Sequence, residues 1–181
     1  MQVIQLLKTY STGRRDFGGV DFREAWMPGV ELSGAILRGA DLTRGNLSYS
    51  VLQDTDFSGA MLWRTNLSGA QLQRAYFGKA TLIRCQLSKS ALDGCCFVGA
   101  DLRLADLRDA QLEGADLKNA RLCYADLSGC VLRGCDLRGA DMTGVILAGA
   151  DLTACQLTQS QLRKLNYSSE SLEDSGTPMA V

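Results

Sequence analysis

From Phe17 to Leu162 a large apolar residue returns at every fifth position, thirty times in succession: twenty-three Leu, five Phe and two Met. Two residues before each of them, from Val20 to Ser160, stands a small residue: Ala, Cys, Ser, Thr, Val or Gly. An α-helix turns its faces every ~3.6 residues and would spread a period of five around the whole cylinder. A plain strand alternates every two residues and would send successive Leu to opposite faces. A chain that bends once per five residues keeps them all on one side. The small residue two positions earlier then also points inward, so each unit delivers one large and one small side chain to the interior. Phe17, Phe57, Phe77 and Phe97 are separated by 40, 20 and 20 residues. Twenty residues per coil stacks these four in one column, with Phe22 on the next side. The pattern predicts a four-sided coil built from four units.

The units Gly39-Ala40-Asp41-Leu42-Thr43, Gly99-Ala100-Asp101-Leu102-Arg103 and Gly149-Ala150-Asp151-Leu152-Thr153 resemble those of the pentapeptide-repeat family. The resemblance covers residues 16–164. It implies an all-β fold, a right-handed quadrilateral parallel β-helix with four repeats per coil. Here that is about 7.5 coils and a rod of roughly 36 Å, at about 4.8 Å per coil. The functions of the family are diverse and mostly unassigned.

Three segments are expected. Residues 1–15 form an N-terminal cap and turn: 2–10 read as a short amphipathic helix with Val3, Leu6, Leu7 and Tyr10 at near-helical spacing, ended by Ser11-Thr12-Gly13. The stretch from Leu6 to Phe17 also resembles the opening of cyanobacterial pentapeptide-repeat proteins. Residues 16–164 form the β-helix, which must hide its end coils from other chains. Residues 165–181 form a C-terminal cap and mobile tail. There the register fails, with Leu165 and Glu170 in small slots, and Leu165 and Tyr167 are expected to fold over the last coil. A homodimer through this end is a further expectation.

Charge adds little. The net charge is −1: residues 1–15 carry +3, residues 165–181 carry −3, and the repeats hold sixteen basic and seventeen acidic residues. That balance suits neither a nucleic-acid binder nor a strongly acidic surface. No apolar run approaches a membrane span and the start has no secretory signal pattern, so a cytoplasmic location is expected. Five of the seven Cys (Cys85, Cys95, Cys130, Cys135 and Cys155) occupy the small inward slot and read as reduced core thiols. Cys135 and Cys155 share a column in adjacent coils, at a separation that suits a disulfide on distance alone. Cys96 and Cys123 fall in outward slots, Cys123 as a candidate reactive thiol.

Nothing points to catalysis. There is no His, and no nucleophile motif, phosphate loop or ligand cluster appears, so no enzyme, metal or cofactor is expected. The Asp before many Leu residues (Asp41, Asp101, Asp126 and Asp151 among them) reads as an acceptor for backbone N–H groups at the bends.

Reading outward slots in columns of period twenty exposes one unusual side. Its last slot runs Arg44, Arg64, Arg84, Leu104, Tyr124; the slot after the Leu runs Thr43, Trp63, Ile83, Arg103, Cys123; Met61 stands before Leu62. Trp, Met and Arg are enriched at interfaces. Arg44, Met61, Trp63, Arg64, Ile83, Arg84, Arg103, Leu104 and Tyr124 are therefore the candidate protein-interaction patch, with Tyr76 and Val98 as an extension. Trp26, near Pro28, is expected to pack beneath the N-terminal helix. The reading is a rigid, non-enzymatic interaction module with a protein partner and no nucleic acid. The resemblance also implies a regulatory role, as in some cyanobacterial relatives. Its alternative is a DNA-mimic binding a type II topoisomerase (gyrase), against which stand the balanced charge and the absence of an insertion in the repeats.

Overall fold

A computed structural model describes residues 2–161 and 163. The chain opens on α1 (Val3–Ser11) and then coils, with parallel bridges joining residue n to residue n + 20 from Asp16↔Ile36 to Asp136↔Gln156. Each bridge falls on the residue before a central Leu, Phe or Met, so each side of the coil contributes a one-residue contact and then turns. Four sides return the chain over itself. The coils are tied in both directions: Leu42 N–H donates to the Met61 carbonyl at 2.8 Å, and Met61 N–H donates to that of Ala40 at 2.9 Å.

The bends explain the period. In each unit from Phe22 to Leu152 the carbonyl of the central residue accepts the N–H three residues later, as in Gly45 to Leu42 at 2.8 Å. Every fifth residue from Gly19 to Ala154 has a positive φ, the left-handed conformation that such a turn requires at its third residue. Asp and Asn brace the bend as expected. Asp41, Asp126 and Asp151 each accept the N–H two residues on at 3.0 Å.

From Val30 to Ala140 both inward slots are closed to water. Leu32, Leu62, Leu82 and Leu102 are fully buried, as are Ala40, Ala60 and Ala100. Phe57, Phe77 and Phe97 stack at 5.1 and 4.9 Å, with their ring planes almost parallel. Polar residues in the small slot do more than fill space. The Thr65 hydroxyl donates to the Leu42 carbonyl at 2.8 Å, and the Cys95 and Cys130 thiols donate to those of Leu72 and Leu107 at 2.9 Å. Burial pushes these two thiols up to about 12, which keeps them protonated donors. Cys135 and Cys155 are free thiols, each donating to a carbonyl 23 residues earlier.

At the N-terminal end Leu6 is fully buried in the core, and Val3 and Tyr10 pack against it. The Tyr10 hydroxyl donates to the Ser33 carbonyl at 2.8 Å. Leu7 is not part of this face: it is 40 % exposed, one helical step round from Leu6. Trp26 overturns the expectation of a contact under α1. It is 73 % exposed, because the slot before a central residue points outward. At the other end Met142, Leu147 and Leu152 are only half-buried, and Gln161 clips the coil by donating to the Leu137 and Ala140 carbonyls at 2.8 and 3.0 Å. The expected lid of Leu165 and Tyr167, the tail and the dimer contact assigned to it lie outside the described residues.

Carboxylates and cations pair along the outside. Arg138 and Lys118 contact Asp136 at 2.6 and 3.0 Å and hold its carboxyl well below the usual range. The hydrogen bonds from Arg23 lower Asp21 to about 2, and those from Thr153 followed by Arg133 lower Asp151 to about 2. A carboxyl lowered by folding stabilises the fold above its unfolded pKa of 3.8, and that stability is lost as pH falls through the folded value. Thermal unfolding is therefore expected to be level from neutral pH to about 5 and to fall steeply between about 4 and 2. A melting temperature unchanged at pH 2.5–3 would contradict this.

Candidate protein-interaction corner

The corner after the sides centred on Leu42, Leu62, Leu82, Leu102 and Leu122 is built at the left-handed position of the turn. Its column reads Glu24, Arg44, Arg64, Arg84, Leu104, Tyr124 and Gly144, and the six non-glycine residues have φ between 55 and 60°. The other three corner columns hold glycine at four or five of seven such positions; this one holds it once. A side chain costs about 1–2 kcal/mol in this conformation. Six in succession is a concentrated expense of stability.

Charge makes the column less favourable still. Elsewhere, successive charged residues in a corner column alternate in sign, as in Asp54 and Arg74, which pair at 2.7 Å. Here three Arg follow one another about 4.8 Å apart. Of the eleven arginines between residues 16 and 161, nine form an ion pair. Among the described residues, the two exceptions are Arg64 and Arg84. Arg64 lies over the Trp63 ring at 4.7 Å, and Arg84 has neither carboxylate nor ring.

The structure thus divides the candidate patch. Arg44 is tied to Glu24 at 3.4 Å, and Arg103 to Asp101 at 2.8 Å, so both are already neutralised. Met61, Trp63, Leu104 and Tyr124 are exposed, at 46, 37, 45 and 63 %. Ile83 is half-buried beside Trp63, and Val98 is likewise half-buried. Tyr76 is exposed at the preceding side. The Cys123 thiol donates to Asp141 at 3.0 Å, and that hydrogen bond to a carboxylate raises its pKa, which makes it a poor nucleophile.

Arg44, Arg64, Arg84 and Leu104 form one wall of a shallow groove of about 640 Å³, with Gln86 and Asp106 on the other. The second wall belongs to the next side, and sequence columns read one side at a time do not bring it in. Backbone bonds hold the groove rigid: Arg64 N–H donates to the Ile83 carbonyl at 3.1 Å and Arg84 N–H to that of Arg103 at 3.0 Å.

The model of pentapeptide repeats matches in eight copies, over residues 16–52, 50–88, 70–109, 85–123 and 125–163. The chain belongs to the pentapeptide-repeat family. A search of curated protein sequences finds no match. Among solved structures, this pentapeptide-repeat protein is similar to trypsin-treated QnrB1, a plasmid-mediated fluoroquinolone resistance protein. The TM-score is 0.54 at 20 % identity, over 86 % of this chain and 87 % of that one. It is also similar to Rfr23 from the cyanobacterium Cyanothece 51142, with TM-score 0.41 at 19 % identity over 86 and 100 % of the two chains. HetL, involved in heterocyst differentiation regulation in the cyanobacterium Nostoc sp. strain PCC 7120, gives TM-score 0.28 at 26 % identity over 86 and 94 %. Family membership and the likeness to QnrB1 make the solenoid a right-handed β-helix. No helix among the described residues is long and apolar enough to cross a membrane.

Proposed function

We propose that this pentapeptide-repeat protein is a non-enzymatic, cytoplasmic interaction module. It is a rod of about 7.5 coils, capped at its first coil by α1, and its Arg64–Arg84 corner docks a protein partner. One observation carries the reading: six consecutive side chains are held in a left-handed conformation that the other corners assign mainly to glycine. Backbone strain kept in one column, with like charges stacked upon it, is what a binding surface tolerates and a purely structural corner sheds. Met61, Trp63 and Leu104 supply exposed apolar area beside the cations, as interface centres do.

The DNA-mimic alternative draws less support. Eleven carboxylates, from Asp21 to Asp151, are paired with Arg or Lys. A likeness to QnrB1 at 20 % identity speaks for fold alone.

The test is crosslinking capture from cells with the wild type and with Trp63→Asp/Arg64→Glu. The expected result is loss of at least one protein at the variant, with the rod still folded by circular dichroism. An identical set of captured proteins would count against this corner.

A further inference from the structure

We propose that the occupant of the corner is an acidic amphipathic α-helix lying along the rod axis. The proposal rests on the docking reading above and adds the chemistry of the partner. Two features of the corner select it.

The first is charge. Arg64 and Arg84 are the arginines of the coils that no carboxylate of the described chain neutralises, and both open onto the groove. A guanidinium presents a planar fork of donors that matches a carboxylate. The opposite wall carries Asp106, already engaged by Arg108 at 2.8 Å. A ligand charged all round, such as a nucleic acid, meets that carboxylate as well as the arginines. A helix with one acidic stripe turns a neutral face to it.

The second is pitch. Successive corner residues lie about 4.8 Å apart along the axis. Three residues of α-helix rise about 4.5 Å and seven about 10.5 Å, against 9.6 Å for two coils. Positions i, i+3, i+7 and i+10 of one helical face thus keep step with Arg64, Arg84, Leu104 and Tyr124, within about 1 Å throughout. A strand laid the same way repeats its faces every ~6.7 Å and is out of step by the second rung. The column also changes character midway, from cations at 64 and 84 to apolar residues at 104 and 124. The partner helix accordingly carries acids at i and i+3, then apolar residues at i+7 and i+10. Its acidic end is its N-terminus, where the helix dipole favours carboxylates.

The experiment uses the full chain with Trp26→Phe, which leaves Trp63 as the sole Trp, excited apart from the five Tyr. The probe is a stapled helical peptide of about 16 residues, with Glu at i and i+3, Leu at i+7 and i+10, and Ala and Gln elsewhere. The expected result is a saturable change in Trp63 emission. Binding is expected to weaken at least tenfold when the two Glu become Gln, and at least tenfold in Arg64→Gln/Arg84→Gln, which keeps the backbone and removes the charges. Three results would overturn the proposal: no saturation at millimolar peptide, equal binding of the Glu and Gln peptides, or tighter binding of an oligothymidine strand than of the acidic helix. If the peptide fails while Trp63→Asp/Arg64→Glu still loses a protein in cells, the acidic helix is refuted and the docking corner stands. If both fail, the corner is not a docking site.

Discussion

Phe77→Ala is expected to cost about 3–5 kcal/mol and to lower the melting temperature by roughly 10 °C. Phe77 is fully buried and is the middle ring of a stack, with Phe57 on one side at 5.1 Å and Phe97 on the other at 4.9 Å. Removing it strips a face from two further rings. The space left behind has little freedom to close. Phe57 N–H is bonded to the Tyr76 carbonyl and Phe77 N–H to that of Cys96, both at 2.7 Å, so the coil spacing is fixed by the ladder. Leu147→Ala, in the half-buried last turns, serves as the comparison and is expected to cost well under half as much. Chemical denaturation of both variants reads the difference. A cost below about 1 kcal/mol for Phe77→Ala would mean that the interior is less tightly filled than the geometry indicates.

The second result runs the other way. Arg64→Gly/Arg84→Gly is expected to raise stability by about 1 kcal/mol while weakening partner capture by at least thirtyfold. Each Arg leaves a left-handed backbone, at φ 55 and 57°, that glycine adopts freely. Glycine's entropic cost offsets part of that gain, as does the lost contact between Arg64 and the Trp63 ring. Relief of repulsion between neighbouring guanidinium groups adds to it. Denaturation midpoints and capture from cells, measured on one preparation, separate the two effects. Lower stability in this variant would show that the arginines support the corner instead of straining it.

How far the fold was legible depends on which slot is read. Leu at every fifth residue and a small residue two before it are enough for a coil with one bend per unit, and the Phe column supplies four sides. The stacking of Phe57, Phe77 and Phe97 follows from that count. Nearness to the N-terminal helix points Trp26 under it, but slot parity turns the side chain outward. Leu7 shares the near-helical spacing of Val3, Leu6 and Tyr10 but stays exposed, because a helix this short buries a narrow stripe.

At the corner, the column Arg44, Arg64, Arg84, Leu104, Tyr124 was visible in the order of residues; its cost was not. The signal was present, since the same slot reads glycine at Gly19, Gly39 and Gly59 in another column, but residue types alone do not say that the slot is left-handed. Pairing was also hidden. Arg44 looks identical to Arg64 and Arg84 in sequence, and only the fold brings Glu24 against it; Arg103 meets Asp101, two residues before it in its own unit.

The constant separation of twenty residues between bridged positions carries a kinetic consequence. Every coil closes a loop of the same length, so each step of assembly meets the same entropic toll and none waits on a distant partner. Such a chain folds as a zipper, from any seed that survives long enough to gain a neighbour. The three stacked Phe rings place the strongest seed near the middle, between residues 57 and 97. From there closure proceeds toward both ends, and the half-buried turns after Met142 are the last to close and the first to open.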